Sequence, residues 1–99
     1  MERKKLMPEE IETRLRDLDG WTAEDDKLKK HFAFENFAGS LEFVNKAGAI
    51  AERHDHHPDI TFGWGYADLV ITTHSEGGIT GKDFTLAAEI EGILSSQRS

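Results

Sequence analysis

The chain has 99 residues, with 12 Lys and Arg against 19 Asp and Glu, so its formal net charge is −7 when His is neutral. This length predicts one domain over residues 1–99, with a core from about 8 to 95, and self-association would add the burial that so small a domain needs. The acidic balance argues against direct nucleic-acid binding. The absence of Cys excludes disulfides and thiolate chemistry. No apolar run approaches the roughly 20 residues that span a bilayer, so we expect a cytoplasmic protein without membrane contact.

The first half of the chain predicts a helix, a hairpin and a second helix. Pro8 suits a first helical position, and apolar residues follow at helical spacing as far as a stop at Gly20. Acidic residues 24–26 predict a turn before a strand that alternates from Leu28 to Phe34. Asn36 can cap the second helix. One apolar stripe of this helix contains Phe37, Leu41, Val44, Gly48 and Ala51, and beside it lie Phe43, Ala47, Ile50 and His54.

The second half predicts a hairpin followed by a last helix. Pro58 ends the preceding helical region, and strands over 60–64 and 66–74 flank a turn at Gly65. Thr80 stands three residues before Asp83, the spacing of a capping box. The core-facing stripe of the last helix contains Leu86, Ala87, Ile90, Ile93 and Leu94. The element order predicts an α+β two-layer sandwich with a mainly antiparallel sheet.

Three of the five His residues lie within four positions, in the segment His54-Asp55-His56-His57 before Pro58. Free imidazole titrates at a pKa of about 6.5, so such a cluster suits proton transfer near neutrality. For His54 we favour simple packing, and for the isolated His31 we favour solvation.

Three further residues could complete a site around this cluster. Glu52 lies four residues before His56 and could accept an imidazole N–H. His74 precedes a Gly-containing loop, where functional groups often collect, although an ordinary solvated His is the alternative. Asp83 is explained locally by helix capping. We expect no metal, because the chain has no His-Glu-x-x-His pair and no dedicated ligand set.

Seven positions stand in a fixed register: Glu52, His56, His57, Pro58, Trp64, His74 and Asp83. Together they resemble the signature of the pterin-4a-carbinolamine dehydratase family, and the resemblance extends from Leu18 to about Leu94. Asp55 before the His pair also occurs in members of that family.

This resemblance implies a four-stranded antiparallel sheet with three helices on one face, assembled as a homodimer or homotetramer. The implied reaction is dehydration of a 4a-hydroxytetrahydropterin to a quinonoid dihydropterin, which recycles the pterin used by aromatic amino acid hydroxylases. The pterin is the substrate, and the family needs no metal or organic cofactor.

The resemblance also implies residue roles. His56 and His74 match the acid/base histidines of the family, and His57 matches a histidine that binds and orients the pterin. Glu52 would orient a histidine, and Trp64 would wall the pocket or support it by packing. Asp83 would support His74 or only cap the last helix.

Three other functions remain open from the sequence. In animals the same fold also serves as a protein-binding dimerisation cofactor for a transcription factor, and fold alone does not determine function. The natural substrate could also be a different pterin. A metal-binding module is the third alternative.

Overall fold

The computed structural model describes residues 5–97, which form a four-stranded antiparallel sheet and three α-helices. The helices are α1 (Pro8–Leu15), α2 (Phe37–His54) and α3 (Gly81–Gln97). The strands are β1 (Thr22–Glu24), β2 (Lys27–Ala33), β3 (Asp59–Gly63) and β4 (Tyr66–Ile71), in the spatial order β1-β2-β4-β3. The predicted element order and α+β class are confirmed. Within residues 5–97, none of the helices is long and apolar enough to cross a lipid bilayer.

Alternation along the strands turns one face of the sheet towards the helices. On β2, Leu28 and Phe32 are buried while His31 between them is exposed. Period-two alternation of this kind gives a sheet one packed face and one face open to solvent. The core joins these strand residues to the helices through Phe43, Ala47, Ile50, Leu86, Ala87 and Ile90. The predicted stripe of α3 is therefore the one that packs.

Helix α1 is shorter than the sequence pattern predicts, because it ends at Leu15 rather than near Gly20. The backbone N–H groups of Arg16, Asp17 and Leu18 donate to carbonyls three residues earlier, so the helix tightens and stops. These turns carry Leu18 into the core, where it is 9% exposed.

Helix α2 begins at its predicted cap but faces the core with the second of its two apolar sets. The Asn36 side chain accepts the Gly39 N–H at 2.9 Å, which confirms the cap. Phe37 and Leu41, at the start of the predicted stripe, remain 45% and 39% exposed. The buried residues of α2 are Ser40, Phe43, Ala47, Ile50 and Ala51.

Candidate active site

The segment between α2 and β3 directs two adjacent histidines to different environments. Asp55 caps α2 in the left-handed conformation, and the His56 N–H bonds back to the Ala51 carbonyl at 3.2 Å. This closure ends the helix sharply, and Pro58 then favours an extended chain. As a result His56 is buried, at 9% exposure, whereas His57 is exposed.

The left-handed backbone of Asp55 (φ 51°) predicts a clear order of stability among substitutions there. We expect Asp55→Ala to lower the free energy of unfolding by about 1 kcal/mol, because a Cβ without a local polar partner disfavours this conformation. Asp55→Gly should keep or raise stability, since Gly adopts positive φ freely. Urea denaturation measures both, with Asp55→Asn as the matched control. Equal losses for Ala and Gly would contradict a backbone role.

His56 is held by a fully buried carboxylate from the first turn of α3. His56 Nε2 lies 2.5 Å from Asp83 Oδ1, and the other carboxylate oxygen, Oδ2, accepts the Thr73 hydroxyl at 2.9 Å and the Thr80 N–H at 2.8 Å. An ionised carboxylate can only accept hydrogen bonds, so Nε2–H of His56 donates to Asp83. In the neutral imidazole, Nδ1 then carries the lone pair.

The hydroxyl groups of Thr73 and Thr80 form a hydrogen-bond network with Asp83 in which the donor of each bond is determined. Thr73 Oγ1 donates to Asp83, so the 2.9 Å contact between Thr73 and Thr80 requires Thr80 Oγ1 to donate. Thr80 Oγ1 in turn accepts the Lys82 N–H at 3.2 Å. Among the side chains that the structure describes, no buried nitrogen or oxygen lacks a partner. Such a satisfied network fixes the Asp83 carboxylate in one orientation.

Of the two expected roles of Asp83, the structure shows the capping bond, and it pairs the same carboxylate with His56 rather than with His74. Asp83 accepts the Thr80 N–H as one half of the predicted capping box. The other half differs, because the Thr80 hydroxyl accepts from Lys82 rather than from the Asp83 N–H. The capping explanation alone was incomplete, since the same carboxylate also bonds His56 from 27 residues away.

Glu52 pairs with His57 rather than with His56, which corrects the spacing argument. Glu52 Oε2 lies 2.6 Å from His57 Nε2, and both side chains are more than half exposed. The prediction assumed that the helix continues through His56. Because Asp55 ends it in the left-handed conformation, the next two residues leave the helical register.

His74 lies at the same end of the sheet as the His pair. Asp59 of β3 is opposite Val70 of β4, so the chain entering β3 meets the chain leaving β4. Strand β4 ends at Ile71 rather than at His74, because Thr73 forms an isolated bridge with Gly78 and His74 begins a 3₁₀ turn. The side chain of His74 is exposed. The residue before it, Thr73, donates its hydroxyl to the carboxylate that holds His56.

Trp64 lies at the opposite end of the sheet, in the turn between β3 and β4, and it is 70% exposed. It follows Asp59 by five residues of extended chain, a distance of about 17 Å. Within one chain, Trp64 therefore does not wall a pocket at His56. Sequence order placed it between the His pair and His74, but the hairpin carries it away from both.

The two remaining histidines each contact a carboxylate. His54 Nε2 lies 3.0 Å from Glu89 Oε2 of α3, so His54 links two helices rather than only packing. His31 Nδ1 lies 2.5 Å from Asp68 Oδ1 on the open face of the sheet, with both side chains well exposed.

A cavity of about 590 Å³ opens beside His56, between the start of the described chain and the first turn of α3. Its size falls in the range of small-molecule sites. It is lined by Lys5, Leu6, Met7, Glu10, Arg14, His54, His56, Gly81, Lys82 and Thr85. Of the predicted site residues, only His56 contributes to this lining, and His57, Trp64 and His74 lie outside it. The sequence motif did not predict that Arg14, Lys82 and Thr85 line this cavity.

Comparison with known proteins gives a consistent result. The model of the family described as Pterin 4 alpha carbinolamine dehydratase matches residues 4–93. A protein from Sulfolobus acidocaldarius, provisionally named a pterin-4-alpha-carbinolamine dehydratase, is 49% identical over 89 residues, which cover 90% of this chain and 98% of that protein.

Two solved structures resemble the fold. A transcriptional coactivator/pterin dehydratase from Brucella melitensis superposes with a TM-score of 0.87 and 33% identity, covering 91% of this chain and 98% of the other. A pterin dehydratase-like protein, described as a RuBisCO assembly factor in the alpha-carboxysome, has a TM-score of 0.61 and 23% identity, covering 73% and 83%. The second likeness shows the fold alone.

Proposed function

Because the chain belongs to the pterin 4 alpha carbinolamine dehydratase family, we propose that it removes water from a 4a-hydroxytetrahydropterin to give a quinonoid dihydropterin. The observation that carries this proposal is the buried His56–Asp83 pair beside a cavity of ligand size. Among the described residues, Nδ1 of His56 has no hydrogen-bond partner. Since no described side-chain nitrogen or oxygen is both buried and unpaired, Nδ1 is partly exposed to solvent. A positioned imidazole of this kind is a general acid/base.

The proposed reaction breaks the C4a–O bond and forms the N5=C4a double bond. The N5 proton passes to a base, and the departing hydroxyl takes a proton from an acid and leaves as water. In this proposal Nδ1 of neutral His56 accepts the N5 proton. The Asp83 carboxylate stabilises the imidazolium that forms, because it is buried and already accepts the Nε2–H.

His57 and His74 are proposed to serve the hydroxyl side of the substrate. Both side chains are exposed and lie at the end of the sheet that carries His56. Glu52 holds Nε2 of His57, so Nδ1 of that ring faces away from the carboxylate. Single substitutions of His57 and His74 identify the ring that delivers the proton.

The direct test is the decay of freshly generated 4a-carbinolamine, followed by its ultraviolet absorbance with and without the purified protein. The uncatalysed reaction gives the baseline, and we expect acceleration proportional to protein concentration. The catalysed rate is expected to fall by about 10²–10⁴-fold when the ring that delivers the proton is removed, so His57→Ala and His74→Ala are measured separately. A folded wild-type protein that leaves the baseline unchanged would reject the activity.

A protein-interaction role is the second candidate, and exposed apolar side chains on α2 favour it. Phe37 and Leu41 lie one turn apart and are 45% and 39% exposed. Apolar residues at this spacing suit contact with a second helix, either from a copy of this chain or from another protein. Self-association as a homodimer or homotetramer would cover them and is compatible with catalysis.

A further inference from the structure

The cavity beside His56 has a charge opposite to that of the whole chain. Three cationic side chains, Lys5, Arg14 and Lys82, line it together with the carboxylate of Glu10. Lys5 Nζ also lies 3.6 Å from Asp26 Oδ1, so the lining and this ion-pair partner together carry +1 with His neutral. The chain as a whole carries −7. Glu10 already accepts the Met7 N–H at 2.8 Å. A local reversal of charge in a concave site favours an anionic ligand.

The position of Arg14 strengthens this argument. A Cβ on Gly81 would lie only 3.3 Å from Nη1 of Arg14, so the guanidinium rests against the first residue of α3. The N-terminus of a helix carries partial positive charge and disfavours cations. The acidic residue of that first turn, Asp83, is fully buried and bonded to His56 and its hydroxyl partners. The Arg14 guanidinium lies over the ring of Phe84 in the same turn, 5.8 Å from its centroid. An anion bound between Arg14 and the start of α3 would offset the unfavourable interaction of these two positive groups.

Lys82 is a further positive group at the start of α3, and it lines the same cavity as Arg14. It is the second residue of α3, its side chain is exposed, and it borders the cavity. Arg14 and Lys82 therefore approach the cavity from two different elements, while His56 borders it from a third segment. Two or more cations around one cavity form the charge-assisted hydrogen bonds that suit a phosphate group.

We infer that this cavity binds a phosphate monoester carried on the side chain of the pterin, so that the substrate is an anionic pterin. The inference rests on the proposed function only in taking the pterin as the molecule that reaches His56. The flat ring would meet Nδ1 of His56, and the ester would extend towards Arg14 and Lys82. A neutral side chain would offer neither cation a charge-assisted hydrogen bond.

The test compares oxidised 6-hydroxymethylpterin with its phosphate monoester, by titration of pterin fluorescence with the wild-type protein. We expect the ester to bind at least about tenfold more tightly, and this preference to fall as salt rises from about 0.05 to 0.5 M. The double variant Arg14→Gln, Lys82→Gln should lose most of the preference. The matched control, Lys27→Gln with Lys46→Gln, removes the same charge outside the cavity and should keep it.

The remaining outcomes separate this inference from the proposed function. Equal binding of the two pterins would overturn the anion site, even if the carbinolamine decays faster with the protein. Displacement of the ester by inorganic phosphate of equal affinity would show a phosphate site unconnected to the ring, and would also overturn it. Preference for the ester without accelerated decay would support the anion site while rejecting the dehydratase activity.

Discussion

Replacing His56 with Ala is expected to reduce the catalysed rate of carbinolamine dehydration by about 10²–10⁴-fold, the usual contribution of a general acid/base group. The substitution removes the imidazole that borders the cavity and leaves the rest of its lining intact. The rate constant is measured from the absorbance decay after the uncatalysed rate is subtracted.

His31→Ala is the matched control for this substitution. His31 also pairs with a carboxylate, that of Asp68, but on the open face of the sheet. Its removal should leave the rate within about twofold of the wild type. His31 does not line the cavity, and the loss of an exposed pair changes the stability of the fold little. Similar losses for both variants would mean that a general effect on folding, and not the chemistry of His56, lowers the rate.

A second variant keeps this test valid if His56→Ala unfolds the protein. His56→Gln retains an amide N–H that can donate to Asp83, so the buried carboxylate keeps a partner. It cannot accept a proton as imidazole does. We therefore expect a stable protein with a rate loss close to that of the Ala variant, and a rate near the wild type would reject His56 as a catalytic residue.

The parts of the fold that could be predicted from sequence depend on short-range chemistry. The Asn36 cap and the pairing of Thr80 with Asp83 each join residues three apart, and both are present. The hairpin at Gly65 needs a positive φ, which Gly adopts at low cost, and the turn has φ 83° there. Such signals act within one turn of chain, so the sequence carries them completely.

The arrangement of the site depends on where elements end, and that was harder to predict. The left-handed Asp55 determines that His57 rather than His56 meets Glu52. A helix usually ends in this conformation at a Gly, so a non-Gly residue such as Asp55 gives no clear sequence signal for the end of α2. An error in the helix end therefore assigned Glu52 to His56 instead of to His57.

Long-range pairing accounts for the remaining differences. Asp83 bonds His56 across 27 residues, and no local pattern distinguishes this bond from simple capping. Trp64 lies between the His pair and His74 in sequence but at the far end of their hairpin in space. The family resemblance supplied the candidate residues, whereas their partners required three-dimensional contacts.

Asp83→Asn is expected to lower the dehydration rate by about 10²–10⁴-fold while the protein stays folded. The Asn carbonyl can still accept the Thr73 hydroxyl and the Thr80 N–H, so the capping bonds remain. The Asn amide then points its N–H groups at Nε2 of His56. That nitrogen must accept, and the proton of neutral His56 moves to Nδ1, which can no longer act as a base. In serine proteases, the same exchange beside the catalytic His lowers the rate by about 10⁴ through the wrong tautomer.

Two measurements distinguish this tautomer change from damage to the fold. Urea denaturation should show a loss of no more than about 2 kcal/mol for Asp83→Asn, against about 2–4 kcal/mol for Asp83→Ala, which leaves the buried Thr80 N–H without an acceptor. Nitrogen-15 NMR of the histidine rings should show the His56 proton on Nε2 in the wild type and on Nδ1 in Asp83→Asn.

Asp68→Asn provides the control, because it makes the same change at the exposed pair with His31 and should leave the dehydration rate unaltered. The proposed role of Asp83 would be wrong if Asp83→Asn moved the His56 proton to Nδ1 and kept the wild-type rate. It would also be wrong if the rate fell with the proton still on Nε2, since the loss would then come from something other than the tautomer. Only a joint change in tautomer and rate, with stability largely retained, agrees with a carboxylate that acts through His56.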